Sequence, residues 1–113
     1  MKKTLVEFAD FLKLDARVGE IITATKVEGS NKLLELSVNL GEEYGIVTIL
    51  SGIAKSYTPE FLIGKKVPVI ANIVPKEMVG KLSNGFILMI DLQDHTPVLI
   101  ELPSSTLNGS TLC

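Results

Sequence analysis

The sequence predicts an all-β chain. It reads as a small five-stranded barrel with a short N-terminal helix, a helix between strands three and four, and a C-terminal β extension. Three observations predict this. Apolar residues alternate with polar ones at strand length, as in Leu34, Leu36, Val38 and Leu40 against Glu35, Ser37 and Asn39. Clusters of Gly, Asn, Ser and Pro separate these runs at turn length. With no Trp, 2 Tyr and 4 Phe among 113 residues, the core has to be built from Ile, Val and Leu.

The elements follow in order. Residues 4–13 place Leu5, Phe8, Ala9 and Leu12 at helical spacing, with Thr4 as N-cap and Glu7 as its capping-box partner. Residues 15–27 form a β-branched strand interrupted by Gly19, which marks a bulge or tight bend. Residues 28–31 are a turn, 32–40 the second strand, 41–45 its hairpin connection, and 46–52 the third strand. Thr58 caps a short helix, with Pro59 at its first position, Glu60 at its positive end, Tyr57 stapling its start and Gly64 closing it. The fourth strand, 66–74, contains Pro68, which suits an edge or strand start. Residues 75–85 read as a loop, 86–92 as the fifth strand, and 97–102 as a further extended piece before an Asn108-Gly109 turn. Five strands with a helix between the third and fourth is the order of the OB-fold, a barrel that often binds oligonucleotides. The chain reads as one domain: helix 1–14, barrel 15–92, extension 93–113.

Charge is unevenly placed. Residues 1–50 carry net −2, residues 51–88 net +3 and residues 89–113 net −3, which sum to the −2 of the whole. A mildly acidic chain has gathered Lys55, Lys65, Lys66, Lys76 and Lys81 in one stretch, either as a cationic binding face or as plain solvated surface. Other functions find no residues to carry them. The single cysteine, Cys113, offers no intrachain disulfide, and no Cys/His cluster offers a metal site. His95 sits in a polar loop without a nucleophile beside it, there is no G-x-x-x-x-G-K-[ST] phosphate loop, and no cofactor is implied. No run has the length of a signal peptide or a membrane span, and a cytoplasmic setting is the expectation.

Four blocks carry a resemblance: FADFLKLDARVGEI (8–21), VEGSNKLLELSVNLGEE (27–43), SGIAKSYTPEFLIGKKV (51–67) and ANIVPKEMVGKLSNGFIL (71–88). With the tail PVLIELPSSTLNGS (97–110), the chain resembles the tRNA-binding domain appended to methionyl-tRNA synthetases, found also in stand-alone tRNA-binding proteins and synthetase-associated cofactors. Its start at Met1 and its family-like close predict a complete chain. Two positions depart from the family pattern. Phe86 stands where methionine is usual, and the strand before Ser51-Gly52-Ile53 is apolar except for Thr48. The resemblance implies a tRNA site formed by Lys32, Ser51, Asn72, Lys76, Lys81, Ser83 and Phe86.

Each of these has a physical case and an ordinary alternative. Lys32 opens the second strand, either reaching a phosphate from the barrel rim or lying in solvent. Ser51 and Asn72 sit at strand ends, where hydroxyl and amide suit base edges and ribose hydroxyls, or cap the strands. Lys76 and Lys81 lie in a loop that frames the OB binding face, tracking phosphates or simply solvated. Ser83 and Phe86 flank Gly85, which lets backbone approach a ligand. Phe86 either stacks on an unpaired base or faces the core. Arg17 is a weaker candidate, with Asp15 and Glu20 as alternative partners.

By resemblance, the chain binds tRNA by structure rather than sequence and does not catalyse. It acts as the separate (beta) tRNA-binding subunit of a methionyl-tRNA synthetase, or as a trans-acting cofactor of its catalytic chain, and pairs as a homodimer through the N-terminal helix and the C-terminal segment. Two other readings remain. One is a protein chaperone or export factor of the same fold, against which Ser30-Asn31-Lys32-Leu33-Leu34 and Ser51-Gly52-Ile53 favour the tRNA-binding branch. The other is a scaffold within a multi-synthetase complex.

Overall fold

The computed structural model describes residues 1–113. Its spine is β1 (Ala16–Lys26), which pairs antiparallel on one side with β2 (Leu34–Asn39) and on the other with β4 (Lys66–Ile70). β3 (Ile46–Ser51) joins β2, and a two-residue β7 (Phe86–Ile87) joins β4. The order β3-β2-β1-β4-β7 makes one curled five-stranded antiparallel sheet, the all-β, OB-like architecture expected. Alternation along β2 puts Leu34, Leu36 and Val38 inside, where they meet Ile21, Ile49, Val67, Val69 and Leu62 in a continuous core. Leu62 comes from α2 (Pro59–Leu62), whose start is built as expected. The Thr58 hydroxyl accepts from the Phe61 N–H at 3.3 Å, and the Tyr57 and Phe61 rings stack.

The barrel is not closed by direct pairing of β3 with β7. A hairpin expected to be loop spans the gap: β5 (Lys76–Met78) and β6 (Lys81–Ser83). The Asn84 N–H donates to the Thr48 carbonyl at 2.8 Å, and the Leu50 N–H to the Ser83 hydroxyl at 2.9 Å. Val79 and Gly80 form the two-residue turn, both at positive φ (50° and 75°), as primed hairpin turns require. A β-branched residue there hid the turn from the sequence.

Three other elements differ from expectation. The register shift in β1 falls between Ile21 and Thr23, not at Gly19. Gly19 instead lies under the core, where a Cβ would come within 2.6 Å of Val38 Cγ1. The fifth strand breaks at Leu88, giving β7 and then β8 (Met89–Asp91). Leu88 donates its N–H to the Pro68 carbonyl, but Pro68 has no N–H to return, so the ladder stops. Pro68 therefore faces the short outer strand. The N-terminal helix is only the single turn α1 (Phe8–Phe11), with Glu7 rather than Thr4 at its N-cap and no side-chain cap. Leu5, Phe8 and Leu12 are exposed, and a short helix without a packing surface is marginal.

The C-terminal extension folds back onto its own barrel. β9 (Pro97–Leu99) pairs with β8, and Leu99 is buried. Beyond the end of β2, residues 109–112 then take its place as neighbour to β1. Gly109 donates to Val18, Val18 to Ser110, and Leu112 to Ala16. The Asn108-Gly109 turn is present, with Gly109 at φ 86°. The segment expected to pair with a partner thus has β8 as the one strand neighbour of β9 and β1 as the neighbour of residues 109–112.

Candidate nucleic-acid interface

A hollow of about 190 Å³ opens between the end of β3, the β5–β6 hairpin and β7. It brings together four of the seven residues singled out in the sequence: Ser51, Lys76, Ser83 and Phe86. Phe86 is 55% exposed, so the core alternative for this ring is excluded. Ile73, Val74 and Met78 complete the wall. In the sequence, residues 66–74 read as one strand that takes in Ile73 and Val74, and Met78 falls in the expected loop. The strand ends at Ile70, and Ile73 and Val74 turn outward.

The other three stand apart. Lys32 is exposed and its carbonyl accepts from the Ala54 N–H, which places it just beyond Ser51-Gly52 at the rim. Lys81 is 3.1 Å from Glu35, an exposed pair of the kind that contributes little to stability. Asn72 holds the N-terminal segment. Its amide oxygen accepts from the Asp15 N–H at 2.8 Å, and its Nδ2 donates to the Lys13 carbonyl at 2.7 Å. Both ends of that amide are occupied within the fold.

Two further residues have structural partners. Ser83, expected in the tRNA site, is 3% exposed and holds the hairpin to Leu50. Gly85 lines the hollow, and a Cβ there would meet Ile49 and Val69 of the core.

The positive stretch is also less free than its composition implies. Lys65 pairs with Glu101 at 3.2 Å and lies over the Phe61 ring, and Lys66 donates to the Thr106 carbonyl. Lys55 and Lys76 form no ion pair. Lys76 is thus the unpaired cation of the groove. Arg17 is structural. It makes two hydrogen bonds to the Asp15 carboxylate (2.7 and 3.1 Å), one to Glu43 at 3.0 Å and one to the Gly109 carbonyl at 3.1 Å. Arg17, and then the Tyr44 hydroxyl at 2.6 Å, hold the Asp15 carboxyl below its usual range. Asp15 therefore adds stability above its unfolded range and loses that contribution as pH falls through its lowered folded value. No group of three or more His, Cys, Asp or Glu side chains is gathered to hold a metal ion.

An exposed aromatic ring and an unpaired lysine lining one hollow, on an OB-like sheet, make a surface suited to unpaired bases and phosphates. The family described as "Putative tRNA binding domain" matches residues 16–111. The chain belongs to this tRNA-binding domain family. It is 41% identical over 111 residues to a methionine–tRNA ligase of Flavobacterium johnsoniae, covering 98% of the chain and 15% of that enzyme. The chain thus spans about 15% of the curated relatives it resembles. Among solved structures it is similar to a MetRS-related protein from Pyrococcus horikoshii (TM-score 0.91, 32% identity, 98% of this chain and 100% of that one). It is also similar to the chaperone CsaA from Bacillus anthracis (TM-score 0.87, 28% identity, 97% and 100%). Family membership and the curled sheet agree with the sequence reading over nearly the whole chain.

Proposed function

We propose that this chain is a non-catalytic, cytoplasmic tRNA-binding protein that recognises RNA structure rather than an extended sequence. It serves a methionyl-tRNA synthetase as a separate subunit or trans-acting cofactor, raising the local tRNA concentration near the catalytic chain. The observation that carries the reading is the groove itself, which exposed Phe86 and unpaired Lys76 both line in a tRNA-binding family member. A binding assay with bulk tRNA, duplex DNA and an unfolded peptide tests it. tRNA is expected to bind best, with log affinity falling linearly against log salt by about 0.7–0.9 per phosphate contact. Lys76→Ala is expected to reduce that slope by about one contact. A flat salt response would remove the phosphate-clamp mechanism. The resemblance to CsaA and the apolar wall of the groove favour a second reading, a chaperone, for which the unfolded peptide would bind best.

The functional particle in this proposal is a homodimer. Phe8, Phe11, Leu12 and Leu14 border an open hollow of about 510 Å³, lined by apolar residues, with Ile70, Leu88 and Leu112. An apolar surface of this kind on a small domain is the mark of an interface. A second copy related by a two-fold axis would cover both apolar hollows at once and leave open, on each copy, the groove of Ser51, Lys76 and Phe86, none of whose lining residues borders this face. The C-terminal segment enters this face only through Leu112 and Cys113, since its backbone is bonded to β1. Sedimentation equilibrium at micromolar concentration is expected to give the mass of two chains, and Phe8→Asp with Leu12→Asp the mass of one. A single-chain mass for the unaltered protein would refute the dimer.

A further inference from the structure

The groove at Phe86 is one of two adjoining hollows. The second, about 340 Å³, shares Ser51, Gly52, Phe86 and Ile87 with the first and runs along β7 and β8 to Asp91 and Pro97. Its walls are otherwise apolar, and its polar side chains are the shared Ser51 and Asp91. The two hollows thus meet at an exposed aromatic ring, with a cation, Lys76, at one and an anion, Asp91, at the other.

This difference in charge orients an RNA strand. Phosphate is attracted to Lys76 and repelled by Asp91, so the phosphodiester belongs at the first hollow and a base edge at the second. An ionised carboxylate only accepts hydrogen bonds and therefore requires a donor. Cytosine presents such a donor in its exocyclic amine, whereas uracil presents a carbonyl at the same position. Asp91 is available for this. Its side chain is 70% exposed, and its one ionic neighbour, His95, holds Nδ1 at 3.4 Å from both carboxylate oxygens, longer than a well-formed hydrogen bond.

We propose that the second hollow is a nucleobase subsite for an unpaired stretch of RNA, and that Asp91 makes it prefer cytosine to uracil. This rests on the RNA-binding reading above. It adds one local base preference to a recognition that is otherwise by structure.

The test is fluorescence anisotropy with labelled C-only and U-only RNA hexamers near neutral pH, with bulk tRNA measured alongside. The unaltered protein is expected to bind the cytosine hexamer about five- to tenfold more tightly, the lower end of one specific base contact. Asp91→Ala is expected to bring the ratio to about one by weakening cytosine binding. Asp91→Asn, whose amide also donates, is expected to do so mainly by strengthening uracil binding. Phe86→Ala is expected to weaken both and keep the ratio. An equal affinity for both hexamers would overturn the subsite, as would a ratio that survives both Asp91 variants. So would tRNA binding with neither hexamer bound. If the cytosine preference is present and tRNA does not bind, the tRNA reading falls and the subsite stands. If nothing binds, both fall.

Discussion

Ser83→Ala is expected to lower the free energy of unfolding by about 1–3 kcal/mol, the cost of leaving a buried backbone donor unpaired. The donor is the Leu50 N–H, which meets Ser83 Oγ at 2.9 Å in a place the sheet leaves open. On its other edge β3 pairs with β2 throughout, as in Leu50 opposite Glu35. Towards β7, however, β3 has no continuous strand partner. The Ser83 hydroxyl and the Asn84 N–H supply the bonds that a closed barrel would make there. Ser83 is only 3% exposed, so water replaces this bond poorly. Urea unfolding of wild type and variant measures the difference. Ser51→Ala, at a half-buried strand end in the same hollow, is the comparison and is expected to stay within about 0.5 kcal/mol. If Ser83→Ala melts like wild type and loses tRNA affinity, the hydroxyl faces ligand and the closure described here is wrong.

What the sequence made legible depends on whether a residue's role is local. β2 was readable because one face is buried and one is wet, and α2 because Thr58 and Pro59 act within a single turn. Ser83 and Asn72 were not. Their partners, Leu50 and the Lys13–Asp15 backbone, are distant in the chain, and a polar residue at a strand end reads alike whether it meets RNA or protein. The β5–β6 hairpin escaped for the opposite reason, because Val79 sits where turn chemistry favours Asn or Gly. Phe86 was balanced between core and surface, and the two-residue length of β7 with its outward ring decided the matter. The N-terminal stripe was seen as apolar but not as a single turn, because nothing within this chain covers it.

Gly19→Ala is expected to destabilise the fold by about 1–3 kcal/mol, as overpacking of a tight core does. A methyl group here would lie 2.6 Å from Val38 Cγ1, 2.9 Å from Val69 Cγ2 and 3.0 Å from Leu40 Cδ2. None of the three can swing away easily. Val38 and Val69 are β-branched, fully buried and held in β2 and β4, the strands on either side of β1. An opposing effect exists. Replacing glycine by alanine restricts the unfolded chain and stabilises by about 0.4–1 kcal/mol where the native backbone tolerates it. Gly19 is not at positive φ, so this gain is retained, but it is smaller than the cost of three overlaps. A double-mutant cycle separates packing from backbone causes. Val38→Ala alone removes two buried methyl groups and is expected to cost about 2 kcal/mol. In the double variant the new methyl occupies part of the space that Val38 vacates. The pair is expected to cost less than the sum of the single changes by about 1 kcal/mol. Strict additivity, or a Gly19→Ala protein as stable as wild type, would mean that the glycine serves the backbone of β1 rather than the packing of the core beneath it.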